Sequence, residues 1–472
     1  MDHRIISVDN FNKTVRYFRK NGIRHAYYAA KERIEEKKRD GYCYVEPSRA
    51  VLDAQREETA QGLDLFSIVV PAYETGEVFL REMIDSVRQQ SYEKWELIIV
   101  DASSSSSVER IVEQVREAAA DERIQYRHVR ENRGISGNTN VGIEMAEGDY
   151  IALLDHDDLL APDALYHMAK AVQRCREQGE LPALLYSDED KYDDNGSYVS
   201  VHEKLDFNLD LILSNNYVCH FMAIEADLMK KLKLREEYDG AQDYDLVLRV
   251  VDQVCRTTIL QDFMQKFVHI PKILYHWRCH AGSTSQNTAS KTYAYEAGKG
   301  ALEDFCRRRG WQVRVAHSLH LGFYEITYLP DLLSVRKDIG IVGGRILDRD
   351  GKICAGAYSR EGSCLYEGLH REYSDGSTHR ASLKQDVYAV DIRCMQVTQV
   401  LWKVYEEITG LPYRERVIRY GRGKLKAERP IADISGLNCD EAGYRKISME
   451  LGRAAAMQGY LVVWDPSITY SI

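Results

Sequence analysis

The sequence predicts an α/β protein: a doubly wound, mostly parallel sheet followed by a smaller α/β region. Three observations lead there. From residue 65 onward, short apolar runs alternate with segments of helical periodicity, and such alternation builds a parallel sheet with right-handed crossovers. The run 150–154 (YIALL) is almost wholly apolar, as in a strand covered on both faces. Directly after it come Asp155, Asp157 and Asp158, and acids at the C-terminal end of such a strand lie where open α/β sheets take their ligands.

The elements follow in order. Residues 1–64 read as a helical lead-in, with 31–39 (KERIEEKKR) a solvated, mixed-charge helix face and 57–62 a polar linker. The run 66–70 is a strand ended by Pro71. Leu80, Met83, Ile84 and Val87 recur at i, i+3, i+4 and i+7, which makes 77–90 an amphipathic helix. A second strand, 95–100, ends at Asp101, and Val108, Ile111, Val112 and Val115 repeat the helical spacing. A third strand spans 124–129, a helix 138–146, and Gly148 precedes the central strand. Pro162 and Asp163 open a helix with Leu165, Met168, Ala169 and Val172 on one face. The strand 183–186 runs into Asp188, Glu189 and Asp190, a second acidic strand end that either lines a ligand or solvates a turn. Asp193-Asp194-Asn195-Gly196 is a turn. A strand at 215–224, a helix opening at Gly240–Asp245, a strand at 270–277 and a helix at 290–309 complete a unit over 65–315. Residues 330–472 form a second unit.

Composition narrows the function. At 472 residues the chain holds two or three domains. With 73 acids against 63 bases, bulk nucleic-acid binding is excluded. Ten cysteines without CxxC or zinc-ligand spacing suit free thiols in a reducing compartment. Met1-Asp2-His3-Arg4 is polar, and no run approaches the roughly 18–20 apolar residues that cross a bilayer. The expected location is cytoplasmic, with peripheral contact at the inner face of the membrane compatible with it. No GxGxxG follows the first strand and there is no GxxxxGK[ST], so Rossmann and P-loop readings are weak.

Asp155 and Asp157 are two apart, so both can reach one divalent cation carried by a substrate phosphate. The plainer alternative is an acidic lead into the next helix. The loops at Pro71-Ala72-Tyr73 and at Asp101 gather with Asp155 on one edge of the sheet, where a nucleotide would lie. The small, flexible loop 102–107 (ASSSSS) suits covering a ligand. Asp243 is either a helix cap or a general base.

Seven blocks then occur in a telling order: FSIVVPAY (66–73), WELIIVD (95–101), NRGISGNTNVG (132–142), GDYIALLDHDDL (148–159), YSDEDK (186–191), GAQDYDLVLR (240–249) and LYHWRCHAGSTS (274–285). Together they resemble the family 2 inverting glycosyltransferases of GT-A fold. More narrowly they resemble the bacterial polysaccharide and O-antigen enzymes, rhamnosyltransferases among them. The resemblance covers about 65–310 and implies roles position by position. Pro71, Ala72, Tyr73 and Glu74 match the first nucleotide-binding loop, and Asp101 the acid that meets the base. Asn132, Gly134 and Asn140 match the segment beside nucleotide and ribose. Asp155 and Asp157 match the metal-binding DxD, with His156 between them on the nucleotide-sugar side. Asp243 matches the catalytic base. His276, or less readily His280, stands where some members supply a histidine to the metal or the diphosphate, and Arg278 where one could face the diphosphate. The cofactor implied is Mn²⁺ or Mg²⁺. The donor implied is a UDP- or dTDP-sugar, and the acceptor a cell-surface or lipid-linked glycan. Self-association is compatible with this. The chain departs from the pattern at Glu74, at Ala102 with its serine run, and at Gln242.

Within 330–472, the blocks IGIVGGRILDRD (339–350), GKICAGA (351–357), VYAVDIRC (387–394) and GYLVVWDP (459–466) look like the later half of another GT-A domain. This copy lacks a DxD, and Cys439-Asp440-Glu441-Ala442-Gly443 stands where its base would be. It reads as a degenerate, non-catalytic half. A basic stretch carries Arg414, Arg416, Arg419, Arg422, Lys424, Lys426 and Arg429; it is a solvated loop or a contact for anionic lipid or diphosphate.

Overall fold

The structure is a computed structural model that describes residues 22–471 apart from 24–25, 35–41, 60–63, 194, 259, 280–291 and 423–424. His280 and much of the KERIEEKKR segment lie outside the described residues. The chain divides into two compact units, both discontinuous. One comprises Tyr42–Phe207 and Asn215–His317; the other comprises Met1–Gly41, Asn208–Ser214 and Ser318–Ile472. The expected lead-in therefore splits. Its helix α1 (Arg49–Thr59) belongs with the first unit, where Gln55 is buried and accepts from the Ser91 hydroxyl at 2.7 Å.

The first unit is built on a nine-stranded sheet in the order β3-β2-β1-β4-β8-β6-β9-β5, with β7 beside β6. Its strands are β1 (Phe66–Ala72), β2 (Trp95–Asp101), β3 (Ile124–His128), β4 (Tyr150–Leu153), β5 (Leu159–Leu160), β6 (Leu184–Asp193), β7 (Tyr198–His202), β8 (Met222–Glu225) and β9 (Phe267–Cys279). Strands β3, β2, β1 and β4 are parallel. Strand β8 then runs antiparallel to both β4 and β6, while β6 and β9 are parallel. The sheet is thus mixed beyond β4. Helices α2 (Glu77–Arg88) and α3 (Ser107–Ala119) bury the apolar stripes that their spacing predicts. Leu80, Met83, Ile84, Val87, Val108 and Val112 are all fully buried in one core with β1 and β2. Burying each such side chain contributes about 1.5–3 kcal/mol.

Two local departures have physical reasons. Strand β1 continues through Pro71, opposite Val100, instead of ending there. Its pairing with β4 has already stopped at Val69, so on that side the missing N–H costs no ladder bond. Helix α4 spans Gly134–Met145 and starts well before the expected 138. Its buried face is Ser136, Gly137, Asn138, Thr139, Gly142 and Ile143, which leaves almost no apolar periodicity to see. Gly142 is needed there, because a Cβ would fall 2.5 Å from Val69 Cγ1.

The expected strand at 215–224 is mostly irregular, with regular pairing only from Met222. Helix α5 (Ala164–Glu177) follows the acidic loop, α6 (Gln242–Thr257) begins at the Asp243 block, and α7 (Thr292–Arg308) packs on α6.

The second unit holds a five-stranded sheet around β10 (Ile339–Leu347) and the parallel β11 (Leu461–Ser471). Helix α8 (Glu441–Met457) covers it, and Trp464, Tyr405 and Leu451 lie in its core. The excursion Asn208–Ser214 is held in this unit by specific bonds. The Asn208 amide exchanges hydrogen bonds with the Asp386 backbone at 2.8 and 2.9 Å. Fully buried Arg336 reaches Asp210 at 3.3 Å and Asp338 at 2.6 Å. Among the described residues, no helix is long and apolar enough to cross a membrane.

Candidate active site

Parallel β1, β2 and β4 bring Ala72, Asp101 and the 155–158 loop to one edge. Asp101 is fully buried. Its Oδ1 accepts from Ser103 N at 2.8 Å and its Oδ2 from the Tyr126 hydroxyl at 2.7 Å. Burial, followed by the bond to Asp101, raises the Tyr126 phenol, which therefore stays a donor. Tyr73 is half exposed. Glu74 sits in the left-handed region at φ 48°. Its carboxylate accepts from Ser104 N (2.8 Å), Ser105 N (3.2 Å) and the Ser105 hydroxyl (2.8 Å). Those bonds, the Ser105 hydroxyl first, hold its carboxyl below the usual range. Glu74 and the serine run were separate departures in the sequence; here they are partners. Glu74 is taken up in tying down the neighbouring loop.

Of the residues beside the expected nucleotide, Asn132 accepts from Gly134 N and from the Asn138 amide, which folds the entry to α4. Gly134 has φ 73°, and a Cβ there would lie 2.3 Å from Asp239 Oδ2. Asn140 is committed elsewhere than expected: its amide clamps the Leu234 backbone, donating at 2.8 Å and accepting at 2.7 Å.

The acidic loop differs residue by residue. Asp158 is buried, accepting from the Tyr275 hydroxyl and, at 2.7 Å, from Arg278 N. Burial, then Asp155 and Asp157, push its carboxyl well above the usual value. It is a structural anchor. Arg278 is also an anchor: its Nε donates to the Asp157 carbonyl at 2.6 Å and another nitrogen reaches Glu82 at 2.6 Å. Its guanidinium lies over Phe79 and Tyr192. Instead of facing a ligand freely, Arg278 holds the backbone of the DxD loop. His156 has a buried Nδ1 with no partner among the described residues. Asp155 is partly buried. No donor among the described residues reaches its carboxylate, which burial raises, His220 lowers, and Asp157 and Asp243 raise again.

Asp243 is the second residue of α6. Its Oδ1 accepts from Tyr244 N at 2.8 Å and its Oδ2 from the Asn216 amide at 3.1 Å. The same Asn216 amide lies 3.1 Å from Cys219 Sγ. Burial and then Asp243 raise the Cys219 thiol, which stays protonated beside that carboxylate. The irregular segment 215–221 thus serves Asp243 through Asn216 and Cys219, and Asp155 through His220. None of these three residues was singled out from the sequence. Their only signal is a polar cluster, NNYVCH, inside what read as a strand.

The second acidic strand end is neither a ligand wall nor a solvated turn. All three acids are buried. Asp188 accepts from Lys204 N (2.7 Å) and pairs with His269 (2.8 Å). Glu189 faces Lys204 Nζ at 3.5 Å, with His202 and His220 each at 3.3 Å. Burial would raise Glu189, but Lys204 and His220 outweigh it and leave it well below the usual value. Burial lowers His220, but Glu189 outweighs it and brings the imidazole up to about 9. Asp190 pairs with His276 at 2.6 Å and accepts from the Tyr42 hydroxyl at 2.7 Å.

His276 is therefore bonded through Nδ1 to Asp190 and packed between the Tyr44 and Tyr198 rings. Among the described residues, no group of three or more His, Cys, Asp and Glu is arranged to hold a metal ion. The Asp190 bond fixes the His276 ring through Nδ1. Asp155 and Asp157 do fit a cation that keeps substrate oxygens in its shell: hard carboxylate donors, crowded by like charge, with one lacking any donor of its own.

The parallel strands and their strand-end acids define an α/β unit with its acids gathered at the carboxyl ends of the strands, the edge at which open α/β sheets take ligands. Residues 67–233 match the Glycosyl transferase family 2 domain, and the chain carries a domain of that family. An uncharacterized protein of Sinorhizobium fredii, y4gI, is 40% identical over 246 residues, 52% of this chain and 26% of that protein. The O-antigen biosynthesis protein RfbC of Myxococcus xanthus is 34% identical over 286 residues, 60% of this chain and 21% of that protein. The chain thus spans about a quarter or less of the length of these relatives. The crystal structure of S. aureus TarS 1-349 in complex with UDP-GlcNAc aligns at TM-score 0.39 and 19% identity, over 50% of this chain and 65% of that one.

Proposed function

We propose that the protein is a metal-dependent inverting glycosyltransferase of bacterial surface-polysaccharide assembly. It would move a sugar from a UDP- or dTDP-sugar to a cell-surface or lipid-linked glycan. The family 2 domain supports the reaction class, and the naming of RfbC for O-antigen biosynthesis supports the setting. The observation that carries the mechanism is the Asp243 carboxylate, oriented by Asn216 and Tyr244 N within the electrostatic reach of Asp155.

In this reading Asp243 takes the proton of the acceptor hydroxyl as that oxygen attacks the anomeric carbon. The nucleoside diphosphate leaves from the opposite face, so the configuration inverts. Asp155 and Asp157 would hold Mn²⁺ or Mg²⁺, which supplies Lewis-acid stabilisation of the leaving diphosphate. Arg278 and Asp158 fix the loop that carries both acids. Tyr73, Asp101 and Asn132 border the nucleotide, and loop 102–107, tied by Glu74, flanks it. The second unit is read as a degenerate GT-A-like half that serves the acceptor. The expected site of action is the cytoplasmic face of the membrane.

The test is direct. The protein is incubated with UDP- and dTDP-sugars, Mn²⁺ and a polyprenyl-linked acceptor, and the anomeric configuration of the product is read by NMR. An inverted product that Asp243→Asn abolishes supports the reading. Retention of configuration, or full activity in Asp243→Asn, overturns it.

A further inference from the structure

His220, in the irregular segment 215–221, is fixed from three sides. Its backbone N and its Nδ1 both reach Glu189 Oε2, at 2.5 and 3.3 Å. Its carbonyl accepts from Lys204 Nζ. Its ring lies flat on Tyr275, with centroids 5.2 Å and planes 14° apart, and leans on Trp277 at 5.2 Å. The Tyr275 hydroxyl in turn holds Asp158, so the ring is packed on a side chain that anchors the acidic loop.

Strand register shows what this ring stands across from. Strands β4 and β8 pair antiparallel, Tyr150 with Glu225, Ile151 with Ile224 and Ala152 with Ala223. Three residues further along each chain come Asp155 and His220, so the line of the ladder carries both to the same strand ends. The electrostatics agree. His220 is the group that most lowers Asp155, and Asp155 and Asp158 help to raise His220.

One ring nitrogen is committed and the other is not. With Nδ1 on Glu189, Nε2 has no partner among the described residues, and the side chain is 30% exposed. Burial would lower the imidazole, but Glu189 outweighs it and holds it up to about 9. Both ring nitrogens then carry a proton at neutral pH, and Nε2 is a donor. Two larger cations nearby are already engaged. Arg278 gives its guanidinium to the Asp157 carbonyl and to Glu82. Lys204 is fully buried beneath the Val218 and His220 carbonyls. A diphosphate whose cation sits on Asp155 brings its oxygens among carboxylates. The open N–H across from Asp155 is placed to meet one of those oxygens in a charge-assisted hydrogen bond.

We propose that His220 is a further ligand-binding residue of the donor site, whose Nε2–H binds the β-phosphate of the leaving nucleoside diphosphate. This rests on the transferase reading for the identity of that diphosphate as leaving group. The contact is a hydrogen bond, and no proton is transferred. Glu189, which holds the ring through Nδ1, is a positioning residue.

Isothermal titration of the full chain in Mg²⁺ tests it with UDP, dTDP, GDP and CDP, each against its monophosphate. Two variants separate the ring nitrogens. In His220→Asn the amide can stand where Nδ1 stood and keep the Glu189 bond, with nothing at Nε2. In His220→Gln the longer side chain carries its amide toward the place of Nε2, and the Glu189 bond is lost. The wild type should bind one nucleoside diphosphate at least about tenfold tighter than its monophosphate. His220→Asn should lose about tenfold or more of that preference, the scale of one charged hydrogen bond, with monophosphate affinity unchanged. His220→Gln should keep part of it. A histidine with a structural role alone would give the reverse order. Independently of the variants, the His220 imidazole signal in histidine-labelled wild type should move with the diphosphate and not with the monophosphate. An intact preference in His220→Asn, equal losses for mono- and diphosphate, or an unmoved His220 signal would overturn the proposal. So would a wild type that binds none of the four diphosphates. A diphosphate preference that needs His220, in a protein that transfers no sugar, would instead count against the transferase reading alone.

Discussion

Two acidic segments of the same unit have opposite fates. At 188–190 each carboxylate is buried against a histidine: Asp188 with His269, Glu189 with His202 and His220, Asp190 with His276. At 155–158, Asp158 is held by the Tyr275 hydroxyl and Arg278 N, while Asp155 is partly buried beside Asp157, with no side-chain hydrogen bond among the described residues. A buried charge must be paired or neutralised, or must await a partner from outside. The comparison teaches that an acid cluster is a site where its compensation is missing, and structure where it is complete. His220 belongs to both segments: bonded to Glu189, it is also the cation that most lowers Asp155.

The largest expected effect sharpens the functional side. Asp243→Asn removes the base and should lower kcat/KM by about 10²–10⁴-fold, with the melting temperature nearly unchanged. Steady-state transfer assays with thermal denaturation measure both. The next breaks the structural side. Glu189→Gln leaves Lys204 and two histidines facing a neutral amide, and breaking such a buried pair costs about 3–5 kcal/mol. Chemical denaturation of the variant should show that loss; an unchanged midpoint would mean the cluster is not a structural one.

The third concerns pH. The folded His220 is raised from 6.5 to about 9, so its stabilisation is complete below about pH 6.5 and is lost as pH rises through about 9. Glu189 is depressed, so its share is present above its unfolded value and is lost only under acid. The melting temperature should therefore fall between pH 6.5 and 9 more steeply in the wild type than in His220→Gln. Parallel profiles would remove His220 from the account. The smallest effect is at Glu74→Gln, which loosens an exposed serine loop. Donor KM should rise by less than about tenfold with kcat unchanged, as for a lost uniform contact.

Much of this unit was legible in the sequence because its signals are periodic. The stripes of α2 and α3 and the apolar runs of β1, β2 and β4 declare themselves. Helix α4 began unseen because it buries glycine, serine and asparagine. At the site, Asp155, Asp157 and Asp243 could be named from spacing and resemblance. What could not be named was compensation. Whether an acid has a partner depends on residues far along the chain: Asp190 on His276, Asp188 on His269, Glu82 on Arg278. That is why the bond of His276 to Asp190 and the hold of Arg278 on the Asp157 carbonyl could not be read from the sequence. Asn216, Cys219 and His220 were missed because an irregular segment has no period to betray it.

The central claim is that Asp155, and not the compensated acids, awaits a cation. Mn²⁺ titration in the presence of UDP, on the wild type, Asp155→Asn and Asp190→Asn, tests it most directly. The account predicts tight Mn²⁺ binding in the wild type, its loss in Asp155→Asn, and its retention in a less stable Asp190→Asn. Binding that survives Asp155→Asn, or that a folded Asp190→Asn loses, would contradict it and return His276 to the metal.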